Sequence, residues 1–300
     1  MKHHMRMLAI VPAMSFIMLV MMLISPFSAS AASMGQGHFM HTKGAKNAVT
    51  PFATSNLTYN GGPVMTGTAN IFAIFWEPTG STVSSTYNSL VQRFARDVHG
   101  TTYYTILQQY KNSAGGGPVT ATLAGTFVDT RSYPSNPMFD SDIQAEVTHA
   151  QGVKGWTSSI HNLFFVFTSK NENECFDTSR SECTFTTFCG YHSFFGSNTL
   201  YSYIPYTGTN LSACGVPRTP NNDINADSSI SVVSHELAEA VTDPLLNAWF
   251  DASGEEIGDK CAFQFSSTNS SNGDTIMNGD PYEIQLEWNN RKSTCSLNAP

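Results

Sequence analysis

Ser234-His235-Glu236-Leu237-Ala238-Glu239-Ala240 is the stretch whose residue types and spacing can do chemistry. His235 and Glu239 stand at i and i+4 in a run of helical periodicity, so both leave one helix face with Cβ atoms ~5–6 Å apart. An imidazole and a carboxylate so placed can reach one cation. Glu236 is then positioned to hold a water, as in the zinc-peptidase pattern His-Glu-x-x-His, here with Glu in place of the second His. A catalytic zinc takes a third protein ligand and keeps one position open. Asp259 is the expected third ligand, fixed by its nearness to Cys261, and Glu256 is the alternative. The expected cofactor is Zn2+, although one imidazole and two carboxylates also admit manganese or calcium. The ion would lower the pKa of water and polarise a carbonyl. Glu236 would move the proton to the leaving group. His192, in Cys189-Gly190-Tyr191-His192, is read as a catalytic helper at the oxyanion, as a ligand, or as a hydrogen-bonded structural His.

The alternative for His-Glu-x-x-Glu is an amphipathic helix with wet carboxylates. Ile230, Val232, Val233, Leu237, Ala238, Ala240 and Val241 speak against it, because they leave the polar side chains clustered on an otherwise apolar helix. Asp223-x-Asn225-x-Asp227 alternates like a calcium loop but has no Gly at the sixth position, so a turn and helix cap are expected there. There is no Gly-rich phosphate loop and no Gly-x-Ser-x-Gly elbow. A glycosidase built on Glu236 would need a second carboxyl across a sugar, and none is apparent from spacing.

The elements that must position these residues follow from the apolar patterning. Residues 1–31 carry a basic start, an apolar run over 7–24 and Ala29-Ser30-Ala31, the order of a cleavable secretory signal. Residues 32–60 are small and polar and read as a flexible leader or propeptide in which His38 and His41 are solvated. A single catalytic-type domain is expected over 61–300. Buried strands are expected at 69–76 and 162–168, a strand at 122–128 and a short one at 200–205. Helices are expected at 84–99, 101–110, 140–151 and 228–242, with 171–198 as Cys-rich loop. Asn272-Gly273 and Asn278-Gly279 signal hairpins, and Ile284, Leu286 and Trp288 alternate on a last strand. The fold class is therefore α/β (α+β). A zincin-like mixed sheet with backing helices and an active-site helix precedes a hairpin-rich C-terminal part.

Six cysteines, all in the second half, read as disulfides in an exported chain. Proximity pairs Cys175 with Cys183, Cys189 with Cys214 and Cys261 with Cys295. Only 13% of residues are charged and the formal net charge is −8, which argues against a nucleic-acid partner or attraction to anionic lipid. No membrane partner is expected once the signal is removed. A peptide or protein substrate, or a cell-wall polymer, is the expected partner.

His235–Glu239 followed by Asp243-Pro244-Leu245, Asn247-Ala248-Trp249-Phe250 and Glu256-Ile257-Gly258-Asp259-Lys260-Cys261 resembles the EXORDIUM-like (phosphate-induced) proteins. The Cys189–His192 pair and the closing 282–295 stretch are similar too. The resemblance spans roughly 60–300 and is most specific over 223–261. It implies a secreted protein associated in plants with the cell wall and growth, and the short N-region and compact loops point to a microbial member.

Overall fold

The structure, a computed structural model, describes residue 1 and residues 37–46, 55–267 and 273–299. The secretory-signal reading of 1–31 and the turn residue Asn272 thus lie outside the described residues, apart from Met1. No helix among those described is long and apolar enough to cross a membrane. Everything below concerns the unit that begins at Met34.

Six strands form the central sheet: β1 (His38–His41), β2 (Gly67–Trp76), β3 (Pro118–Asp129), β4 (Asn162–Thr168), β5 (Phe188–Phe195) and β6 (Thr199–Ile204). Their order is β1-β5-β6-β4-β2-β3. The pairs β3–β2, β2–β4 and β4–β6 are parallel, whereas β6–β5 and β5–β1 are antiparallel. Parallel neighbours need long crossovers. Helix α1 (Tyr87–Asp97) lies in the β2–β3 crossover and α2 (Asp140–Lys154) in the β3–β4 crossover.

Side-chain alternation sorts the strands into two faces. Ile71, Ala73, Phe75, Leu163, Phe165 and Phe167 pack with Val91 and Phe94 of α1, and with Ile230, Val233 and Leu237 of α3 (Ile224–Thr242). Phe72, Ile74, Trp76, Phe164 and Val166 pack on the opposite face with Ile143, Val147 and Ala150 of α2. A sheet covered on both faces explains why β2 and β4 read as unbroken apolar runs. Helix α3 is buried along its length from Ala226 to Thr242, as a helix apolar on nearly all sides must be.

Asp223 caps α3, accepting the backbone N–H groups of Asn225 and Ala226, so the helix starts one turn earlier than 228. The other Asp223 oxygen takes the hydroxyls of Ser84 and Thr86, both at 2.6 Å. Asp227 accepts from the Thr219 hydroxyl and the Asn221 side-chain amide. Protein donors thus occupy this oxygen-rich stretch, as a turn and cap require. Asp243 ends α3 and accepts from the Asn247 and Ala248 amides at 2.6 and 2.7 Å.

Two expectations need correction. The 171–198 segment is not all loop: Phe188–Phe195 is an inner strand. From Phe188 to Ser193 every residue is buried, so the polar-apolar alternation that betrays a half-exposed strand is missing. Flexibility across 32–60 does not hold for 37–46 either. His38–His41 pairs with β5, His38 opposite His192 and Phe39 opposite Tyr191, and Met40 is fully buried. Four residues of strand inside a polar, Gly-containing stretch give too short a pattern to stand out.

The three disulfides are Cys175–Cys183, Cys189–Cys214 and Cys261–Cys295, the pairs expected from proximity. After α3 the chain forms the hairpins Thr275–Met277 with Asp280–Tyr282, and Glu287–Asn289 with Thr294–Ser296. Asn278 and Gly279, both at positive φ (51° and 95°), make the first turn, as a type I′ connection demands.

On α2, Glu146 is buried against the Arg131 guanidinium, which also reaches Asp129 at 2.6 Å. Burial first, then the Asp129 charge, push the Glu146 carboxyl up to about 8. A carboxyl raised on folding favours the folded state at low pH, and that advantage is lost as pH rises from about 4.5 through about 8. Glu146→Gln should therefore flatten this loss. Thermal melts from about pH 5 to about pH 9 should show a smaller decline in Tm for the variant than for the parent.

Candidate metal centre

Helix α3, strands β1 and β5, and the 254–261 turn bring their acidic and imidazole side chains to one place. On α3, His235 Nε2 lies 3.1 Å from Glu239 Oε1 and 3.7 Å from Asp259 Oδ1. From β5, His192 Nδ1 is 3.3 Å from Glu236 Oε2 and 3.4 Å from Glu239 Oε2, and its Nε2 is 3.8 Å from Glu256 Oε2. From β1, His38 Nδ1 is 3.2 Å from Asp259 Oδ2 and 3.4 Å from Glu239 Oε2, and its Nε2 is 3.7 Å from Glu256 Oε1. His38 and His192 are cross-strand partners, which sets their rings side by side at 5.8 Å between centroids.

Local backbone chemistry holds this arrangement. The Asp259 N–H donates to Glu239 Oε1 at 3.1 Å, and the Glu256 N–H donates to Asp259 Oδ2 at 3.1 Å. The Cys261–Cys295 bond and the Trp288 N–H, which donates to the Ile257 carbonyl at 3.0 Å, tie the turn to the last hairpin. Gly190 lets β5 lie against α3: a Cβ there would meet Val232 Cγ1 at 2.6 Å and Glu236 Oε1 at 3.3 Å. Gly258 lets the turn lie on the His235 ring, since a Cβ would meet Nδ1 at 2.6 Å and Cε1 at 2.8 Å. Gly258→Ala must displace that ring. With His235 as a zinc ligand, the variant should bind zinc about 10–100-fold more weakly than the parent in competition with a chromogenic chelator, and equal binding would remove His235 from the ligand set.

His192, His235, Glu236, Glu239 and Glu256 are buried to 1% exposure or less; the His38 side chain is 22% exposed. His38 and Glu256 help to line a cleft of about 460 Å³ whose other walls include Phe39, Phe176, Leu246 and Phe250. Burial opposes a proton on His235, yet Glu239, Glu236 and Asp259 lift it to about 10. Burial likewise opposes the charged form of His38, and Glu256, Asp259 and Glu239 carry it well above the usual range. Burial works to raise Glu239, but His235, His192 and His38 hold it well below the usual carboxylate range. Glu236 and Glu256 are raised, chiefly by burial.

The donor set fits a divalent cation. Ligands bound at ~2.0–2.2 Å to one ion stand ~3.0–3.5 Å from each other, close to the separations above. One donor atom from each of His38, His192, Glu239 and Glu256 lies within 4.8 Å of the others, and the same is true of His235, Glu236 and Glu239. Three of these atoms have no hydrogen-bond partner although buried: His192 Nε2, Glu236 Oε1 and Glu256 Oε2. Unsatisfied groups at such density are otherwise rare in a folded core.

All five residues singled out in the sequence, His235, Glu236 and Glu239 by helical spacing and His192 and Asp259 by their nearness to cysteines, fall in this cluster. Glu256 joins Asp259 instead of replacing it. His38 was missed as a member; its only signal was a His beside Phe39-Met40 in a short apolar patch.

Chemically and architecturally, this is a disulfide-braced α/β protein that gathers imidazoles and carboxylates beneath a cleft. It belongs to the phosphate-induced protein 1 family, whose conserved-region model matches residues 57–296. That match takes in every residue of the cluster except His38. Among curated proteins, the chain is 25% identical to Protein EXORDIUM-like 5 of Arabidopsis thaliana over 283 residues, covering 80% of this chain and 77% of that protein. It is 32% identical to Protein EXORDIUM-like 3 of the same plant over 96 residues, covering 24% and 28%.

Proposed function

We propose that this chain is a secreted, metal-dependent hydrolase of zincin-like design, acting on peptide bonds. The observation that carries this reading is the convergence of three imidazoles and four carboxylates, with buried unpartnered donor atoms, beneath a cleft. Zn2+ held by His235, Glu239 and Asp259, with His192, His38 and Glu256 alongside, would supply a Lewis acid that activates water and polarises a carbonyl. Glu236 accepts the proton of the attacking water and delivers it to the leaving amine. Its carboxyl, raised by burial, is suited to both halves of that transfer. His192, at 3.3 Å, orients the Glu236 carboxylate.

Two features favour an extended peptide as substrate. Strand β1 is an edge strand whose outer side pairs with no other strand among the described residues, and an extended chain can add to such an edge. The cleft beside it has aromatic and aliphatic walls suited to an apolar side chain. The disulfides and the signal-like N-terminal sequence support export.

A second reading, a wall-associated protein with a structural cation, draws on the deep burial of all but His38. Hydrolysis of an unfolded protein, assayed before chelation, after chelation and after zinc is returned, separates the two. Cleavage that stops and returns supports the hydrolase. Tightly bound zinc with no cleavage of protein or wall polymer supports the structural role.

A further inference from the structure

The cluster has more donors than one ion can use, and their placement is divided. Glu239 presents Oε1 to His235 Nε2 at 3.1 Å and Oε2 to His38 and His192 Nδ1, both at 3.4 Å. Asp259 repeats the division, with Oδ1 3.7 Å from His235 Nε2 and Oδ2 3.2 Å from His38 Nδ1. Each carboxylate thus turns one oxygen to His235 and the other to the β1–β5 histidine pair. We infer that the site holds two divalent cations bridged by Glu239 and Asp259. His235 ligates one of them; His38, His192 and Glu256 ligate the other.

This rests on the metal reading proposed above and goes further in its stoichiometry and ligands. Carboxylates that present separate oxygens to separate imidazoles are the expected bridges of co-catalytic pairs, whose ions stand ~3.5–4 Å apart. The buried Glu256 Oε2 and His192 Nε2, which have no hydrogen-bond partner, belong to the second half. An imidazole- and carboxylate-rich pair of this kind suits zinc or manganese. Strand β1 then has a chemical purpose: by bringing His38 across from His192, it completes the outer position at the cleft.

Chelator-stripped full-length protein, titrated with Zn2+ and counted by elemental analysis after desalting, should retain two ions per chain. Loaded with Mn2+, it should show the halved hyperfine spacing of a spin-coupled pair. His38→Gln and His235→Gln, each checked for native circular dichroism, should retain one ion each and lose the coupled signal. One zinc per parent chain with an uncoupled manganese spectrum would overturn the two-ion inference and leave a single-metal hydrolase standing. No retained metal would overturn both. The parent's count and spectrum decide the matter even where a variant fails to fold.

Discussion

Glu236→Gln is expected to lower hydrolytic turnover by about 10²–10⁴-fold, the range over which a positioned general base contributes, with the bound-metal count unchanged. The amide keeps the size of the carboxylate and an acceptor for His192, which stands 3.3 Å away, but it cannot take a proton at working pH. Glu236 lies on the buried α3 beside His235, and the Glu256 and Asp259 backbone N–H groups of the 254–261 turn donate to other carboxylates. Turnover and zinc content measured on the same preparation divide the outcomes. Lost turnover with metal retained fits a base. Loss of both would make Glu236 a ligand, and unchanged turnover would remove it from the chemistry.

Chelation is expected to destabilise the protein by a similarly large margin. An ion present at 1,000 times its dissociation constant stabilises the folded state by about 4 kcal/mol. For a domain of this size that corresponds to about 8–16 °C in Tm. The cause is specific: Glu239 is buried on α3 and Glu256 and Asp259 in the 254–261 turn, and a cation would tie the two segments together where like charges otherwise repel. The shift should shrink as pH falls, because protons compete with metal for the imidazoles and carboxylates. Differential scanning calorimetry with and without chelator, with zinc returned as the control, measures it. An unchanged Tm would mean that the cluster is held together without an ion.

How much of this was legible in the sequence depended on whether the signal was local. Strand β4 was read to the residue, 162–168, because a run apolar on both faces and bounded by polar residues admits few alternatives. The end of α3 was equally clear from Asp243-Pro244, since proline cannot continue a helix. Helical spacing alone makes His235, Glu236 and Glu239 neighbours, and the structure brings Asp259, two residues before Cys261, within 3.7 Å of His235. Pairing by proximity also gave the disulfides, helped by short separations of 8, 25 and 34 residues.

Strand β5 and His38 were different. Both owe their place to strand pairing across long stretches of chain, His38 opposite His192 and His192 near Glu236, and nothing in the local pattern encodes a partner that far away. Burial of β5 on both faces, with Gly190 and a disulfide inside it, gave it the composition of a loop. The strand around His38 is only four residues long, with Phe39 and Met40 as its apolar pair, inside an otherwise small and polar stretch. Those properties made it look like a tail.

The central claim is that the cluster binds cations, and anomalous diffraction at the zinc edge tests it most directly. Crystals of protein purified without chelator should give anomalous density between His235, Glu239 and Asp259 and between His38, His192, Glu239 and Glu256, with donor atoms ~2.0–2.2 Å away. Absence of any anomalous peak there after zinc soaking, with the imidazoles hydrogen-bonded directly to the carboxylates, would contradict it.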